Sequence, residues 1–205
     1  MLDHLNIATI PVFGLSGGGP HVLALARGLA NRIKVVAVVA GPCPWSEPGF
    51  LSGTWPPIRF AYLVARFAPG WMLRTLQKAM NDPRRNMKYA DRMPAPDAAM
   101  LAEYPEMKSK IIDSVSAAHA QGFDGACHEW RLYTRPWGFA PEEVQVPVRL
   151  WYGALDGMAP PAMGRRLHDR LPNSQITVLP AEAHLSIITR HARRIVVDLL
   201  ESHPG

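Results

Sequence analysis

Four short runs of aliphatic and β-branched residues punctuate the chain: Ile7 to Phe13, Lys34 to Ala40, Val148 to Tyr152 and Gln175 to Leu179, each bounded by Gly, Pro or Asn. Their length and residue type predict four strands. Pro20 to Asn31, Pro161 to Leu171 and Leu185 to Ser202 instead carry apolar residues at three- and four-residue spacing, which predicts amphipathic helices. Strands alternating with helices imply parallel pairing, so the fold class is α/β.

The second and third runs are separated by a stretch with no strand pattern, from about Gly41 to Val146. It opens on a Pro- and Gly-rich segment, Gly41-Pro42-Cys43-Pro44-Trp45 to Pro57, and continues through helical patterns near Ile58 to Phe67, Trp71 to Met80, Asp97 to Tyr104 and Glu106 to Gln121. A structureless loop of that length is improbable in a compact domain, so a helical subdomain over the sheet is expected. The chain therefore divides into residues 1–40 (core sheet), 41–146 (helical insertion) and 147–205 (core sheet again). Trp55, Trp71, Trp130, Trp137 and the methionines of the insertion are expected in its core and in a pocket wall, which suits an apolar substrate part.

Composition narrows the class. With 205 residues, 48% hydrophobic and 19% charged, the chain can bury one globular core. Met1-Leu2-Asp3-His4 lacks the charged and apolar regions of a signal peptide, and Val35 to Ala40 is too short to span a bilayer, so a soluble cytoplasmic protein is expected. Cys43 and Cys127 lie outside any metal or redox spacing and read as free thiols. The net charge of +5 comes with scattered basic pairs, Arg84-Arg85, Arg165-Arg166 and Arg193-Arg194, and no nucleic-acid motif. Solvated helix faces account for them, and no nucleic-acid partner is expected.

Candidate chemistry begins at Gly14-Leu15-Ser16-Gly17-Gly18, a G-x-S-x-G sequence set between a strand run and a helix run. A serine at the tip of so tight a turn sits in strained backbone, and glycines on either side let strand and helix pass. Two further residues fall at the ends of later strands. Asp156 lies just past the third strand, in Gly153-Ala154-Leu155-Asp156-Gly157, and His184 lies in the loop between the last strand and the final helix. All three should share the carboxyl edge of one sheet, where open α/β sheets place ligands.

Side-chain acidity assigns the roles. A serine hydroxyl needs a base that titrates near neutrality, which points to His184, and the imidazolium it becomes needs a carboxylate partner, which points to Asp156. Asp124 and Asp113 are weaker choices for the acid, and His191 is the rival histidine. His21, His119 and His128 lack ligand-type partners at i, i+4, so no metal is expected. A phosphate loop is excluded because Ser16 replaces the central glycine and no Gly-Lys-Ser/Thr follows.

On the elbow at Gly14 to Gly18, the acid loop from Gly153 to Pro160 and Ala183-His184-Leu185, the chain resembles the α/β-hydrolase fold superfamily, whose members carry Ser, Asp and His in that order. The resemblance implies a partial α/β-hydrolase fold, cofactor-free hydrolysis of a small apolar carboxylic ester, an oxyanion donor at Gly17 N–H, and an insertion acting as a cap. It also implies that the strands usually preceding the elbow, with the loop supplying a second oxyanion donor, are absent. Losing one such donor costs roughly a hundred- to a thousandfold in rate. The strand ending at Phe13 should then be an exposed edge, and a homo-oligomer formed through it is expected. Three readings follow: an active serine hydrolase, a weakly active or inactive hydrolase-like protein that binds an apolar ligand, or a longer protein whose start lies upstream of Met1.

Overall fold

A computed structural model describes residues 1–82 and 93–201. The Arg84-Arg85 pair and Ser202, the expected end of the last helix, lie outside the described residues. Four strands, β1 (Ile10–Leu15), β2 (Ile33–Val39), β3 (Val148–Gly153) and β4 (Ser174–Leu179), form one sheet in the order β1-β2-β3-β4. Every pairing is parallel, as the alternation of strand and helix patterns predicts.

The helices are α1 (Gly18–Gly28), α2 (Pro56–Phe67), α3 (Gly70–Met80), α4 (Ala95–Glu103), α5 (Pro105–Ala118), α6 (Asp124–Tyr133), α7 (Pro161–Arg170) and α8 (Ser186–Glu201). Helices α2 to α6 all fall between β2 and β3. The stretch Asp124 to Tyr133 is a further helix, outside the expected helical stretches; none of its residues is fully buried. Trp71 departs from expectation, being 70% exposed on α3 rather than in a core.

β2 shows why the sheet is two-faced. Val36, Val38 and Ala40 join Leu23 and Ala26 of α1 and Met163 and Leu167 of α7 in one buried cluster. The alternate residues Val35, Ala37 and Val39 pack with Trp151 and with Ile187, Ile195 and Leu199 of α8 on the opposite face. A strand covered on both faces must be apolar at every position, and only Lys34 breaks the run. Each fully buried Val, Leu or Ile contributes about 1.5–3 kcal/mol by leaving water.

β1 begins three residues later than the apolar run, with the Ile7 and Ala8 carbonyls accepting from the Arg32 guanidinium, and inside the strand the register with β2 slips between Ile10 and Val12, on either side of Pro11, which has no N–H to donate. The strand ladder instead continues past its end, where Ser16 N–H donates to Val39 O at 2.7 Å. β1 is an edge strand in this sheet, with Phe13 52% exposed. At the carboxyl end of β2, the buried Tyr152 hydroxyl donates to Gly41 O at 2.6 Å. That bond ties β3 to the backbone beside the turn after β1.

Candidate active site

Ser16 stands between β1 and α1 with a φ of 50°, in the left-handed region that side chains seldom adopt. Such backbone costs on the order of 1–3 kcal/mol and persists only where its surroundings enforce it. Here they do. A Cβ on Gly14 would overlap the Gly18 carbonyl, and one on Gly19 would lie 2.9 Å from Val38 Cγ1 and 3.1 Å from Gly41 Cα. At Gly18 the space is open, so the close approach of strand and helix falls on Gly14 and Gly19 rather than on Gly14 and Gly18. Gly17 caps α1, where backbone amides have no intrahelical acceptor and the positive end of the helix dipole faces outward.

Asp156 follows β3 on a turn closed by its own N–H donating to Gly153 O at 3.2 Å. The loop rests on the histidine loop: Leu155 N–H donates to Glu182 O at 3.0 Å, and the absence of a side chain on Gly153 lets the Glu182 backbone come this close. The carboxylate is wholly buried yet fully partnered. Its Oδ1 accepts the N–H groups of Met158 (2.7 Å) and Ala159 (2.9 Å), leaving Oδ2 for His184.

His184 Nδ1 lies 2.7 Å from Asp156 Oδ2, and Nε2 lies 3.0 Å from Ser16 Oγ. A carboxylate can only accept, so Nδ1 carries the proton toward Asp156 and Nε2 is left to accept from the serine hydroxyl. The structure thus brings the three sequence-selected residues into one hydrogen-bonded series. The rivals are occupied elsewhere: His191 Nε2 meets Glu182 Oε1 at 2.9 Å, Asp124 pairs with Arg74 at the surface, and Asp113 is exposed on α5.

Residues that sequence reasoning passed over also reach the site. Tyr133, the last residue of α6, puts its hydroxyl directly against Gly17, where any Cβ would overlap it. That hydroxyl donates to Glu129 Oε2 at 3.2 Å, and Glu129 in turn meets His21 Nε2 at 2.7 Å. Burial, with the Glu129 charge beside it, holds the Tyr133 phenol well above its usual range, so it remains a proton donor. From Tyr133 an aromatic series leads away through Trp130, Tyr62, Phe50 and Trp45, neighbouring ring centroids lying 4.9–6.3 Å apart. The Glu129, Trp130 and Tyr133 spacing of three and four residues was the available signal, on a segment with no other helical mark. Asp97 of α4 is the second such residue, hydrogen-bonded to the backbone just after His184.

Among the described residues there is no group of three or more His, Cys, Asp or Glu side chains placed to hold a metal ion. No described helix is long and apolar enough to cross a membrane.

The family described as alpha/beta hydrolase fold matches residues 1–191. A pimeloyl-[acyl-carrier protein] methyl ester esterase of Pectobacterium atrosepticum is 43% identical over 47 residues, which are 23% of this chain and 18% of that protein. The corresponding esterase of Neisseria meningitidis is 38% identical over 48 residues, 23% of this chain and 19% of its own. Among solved structures, an enol-lactonase from Burkholderia xenovorans superposes with a TM-score of 0.62 at 24% identity, over 98% of this chain and 68% of that one. A thermophilic esterase from Thermogutta terrifontis gives 0.61 at 20% identity, over 98% and 68%. The chain thus spans about two thirds of the length of these structures, and they share its fold.

Proposed function

The chain belongs to the alpha/beta hydrolase fold family, and from that membership and the geometry around Ser16 we propose that it is a serine hydrolase acting on carboxylic esters through an acyl-enzyme. The observation that carries this reading is the series Asp156–His184–Ser16, with contacts of 2.7 and 3.0 Å.

In this mechanism His184 Nε2 takes the Ser16 proton as Oγ bonds to the ester carbonyl carbon. The carbonyl oxygen becomes an anion, which in this reading accepts a hydrogen bond from Gly17 N–H at the start of α1. His184, held by Asp156, then gives its proton to the alkoxy oxygen as the C–O bond breaks, and the alcohol leaves. Water repeats the sequence: His184 removes its proton, the hydroxide oxygen adds to the acyl carbon, and collapse returns the proton to Ser16 and releases the carboxylic acid. No step requires a cofactor.

Residues 41–146 serve in this reading as a cap over the serine, with Tyr133 and the aromatic series behind it as a wall for an apolar acyl or alkyl part. Leu155 and Met158, 52% and 37% exposed, add apolar surface on the loop that carries Asp156. The esterase names of the relatives support a carboxylic ester as the substrate class. The edge position of β1 supports assembly with a second copy.

Covalent labelling tests the proposal. A fluorophosphonate probe should modify the protein, and Ser16→Ala should abolish the label; turnover of a panel of p-nitrophenyl esters of increasing chain length should follow it. Absence of Ser16-dependent label at every protein concentration would sink the enzyme reading and leave apolar-ligand binding without turnover.

A further inference from the structure

Leu185 precedes the first residue of α8, and an apolar side chain at that position supplies no oxygen to cap the helix. The cap comes from far away in sequence. Asp97, in the first turn of α4 and only 2% exposed, accepts the N–H of Leu185 at 3.0 Å and of Ser186 at 2.8 Å, both on Oδ1. On the other side of the histidine, Ala183 N–H donates to Ser186 Oγ at 2.9 Å. The backbone amides flanking His184 are therefore all held, and two of the three are held by a side chain that the chain delivers from between β2 and β3. Farther along the same two helices, Arg190 of α8 donates to Glu103 of α4 at 3.0 Å, so the contact is not a single isolated bond.

We propose that Asp97 is a positioning residue for His184: by capping α8 from α4 it sets where the histidine loop sits relative to Ser16. The inference rests on His184 acting as the base. Physically it follows from leverage. His184 is adjacent in sequence to the capped amides, its Nε2 lies 3.0 Å from Ser16 Oγ, near the outer limit of the reach at which a base takes a proton, and a carboxylate at a helix start both satisfies orphan amides and favours the local dipole. Without that carboxylate the first turn of α8 loses its anchor, and a displacement of about 1 Å at a reacting group costs on the order of a hundredfold in rate. The sheet places the strand ends, while the segment between β2 and β3 completes the placement of the base.

The test compares Asp97→Asn, which keeps an oxygen acceptor at Oδ1, with Asp97→Ala, which removes it. Two readouts are taken below the unfolding transition: the rate of Ser16 labelling by a fluorophosphonate, and the low-field proton resonance of His184 Nδ1–H in NMR, which needs no turnover. Asp97→Ala should slow labelling ten- to a hundredfold and shift or broaden the His184 resonance, and Asp97→Asn should stay within about threefold of the parent on labelling and keep the resonance. Should the alanine variant not stay folded, Asp97→Glu decides, since it keeps the charge but displaces the carboxylate by one methylene and should also slow labelling. A parent-like labelling rate and resonance in Asp97→Ala, or equal damage in Asp97→Ala and Asp97→Asn, would overturn the proposal. A parent protein that does not label at all overturns the serine hydrolase reading instead, and the His184 resonance then decides the positioning role alone.

Discussion

The Tyr133 hydroxyl occupies the space that a side chain on residue 17 would need. One residue ends α6 and the other starts α1, so the segment between β2 and β3 touches the turn that carries Ser16. A glycine at position 17 is thereby explained by a packing partner, independent of the turn's own geometry.

Gly17→Ala should accordingly slow Ser16-dependent labelling by on the order of ten- to a hundredfold, because either Tyr133 or the turn must move. Adding Tyr133→Ala should restore a large part of the rate. A double-mutant cycle on the labelling rate checks this: additive effects would show that the two residues do not compete for the same space.

The elbow glycines should separate by position. Gly14→Ala and Gly19→Ala force overlap with backbone or with Val38 and should each destabilise the fold by about 1–3 kcal/mol. Gly18→Ala meets open space on a helix and should be neutral or stabilising by up to about 1 kcal/mol. Urea denaturation of the three variants measures the contrast.

Asp156 should show two separable losses. Asp156→Asn keeps an oxygen for the Met158 and Ala159 amides but no longer enforces the His184 tautomer, so turnover should fall by on the order of 10⁴ with a modest change in stability. Asp156→Ala should lose turnover similarly and, by leaving the buried Ala159 amide and the partly buried Met158 amide without their acceptor, cost about 1–3 kcal/mol more. Steady-state kinetics paired with thermal unfolding distinguishes the two.

Burial pushes the Cys43 thiol from its ordinary 9.0 up to about 12. The folded state therefore holds that proton more tightly than the unfolded chain, and the associated stability is intact below about pH 9 and lost progressively as pH climbs toward 12. Cys43→Ala should flatten the stability profile in that window. In parallel, Ellman's reagent at pH 8 should modify the partly exposed Cys127 first and Cys43 only through unfolding; rapid loss of both thiols would contradict the placement.

With β1 at the sheet edge and Phe13 half exposed, sedimentation velocity at micromolar concentration should show a species larger than one chain, and Phe13→Lys should reduce it. A single monomeric boundary at all concentrations would remove this assembly route.

Much of the architecture was legible because it depends on local pattern. Four apolar runs yielded four parallel strands within three residues of their observed ends, and the elbow, acid loop and histidine loop were each recognisable from neighbours a few positions away. The helix Asp124–Tyr133 was not, since it is short and partly exposed, and the Glu129, Trp130 and Tyr133 spacing was its main helical mark. Trp71 was misplaced for a related reason: large aromatic residues favour burial on average, and which helix face turns outward depends on neighbours the local pattern does not name.

By itself the sequence determined the α/β class, the order of the strands along the chain, and Ser16, Asp156 and His184 as candidates at the ends of three strands, with His191 still a rival for the histidine. Those follow from residue type and from spacings of two to four residues. Only the tertiary structure decided that His184 rather than His191 faces Ser16, that Gly19 rather than Gly18 takes the tight approach, and that Asp97 and Tyr133 reach the site from between β2 and β3. Each of those is a contact between residues far apart in the chain, set by how helices and strands pack, and packing at that range leaves no periodicity in the sequence to read.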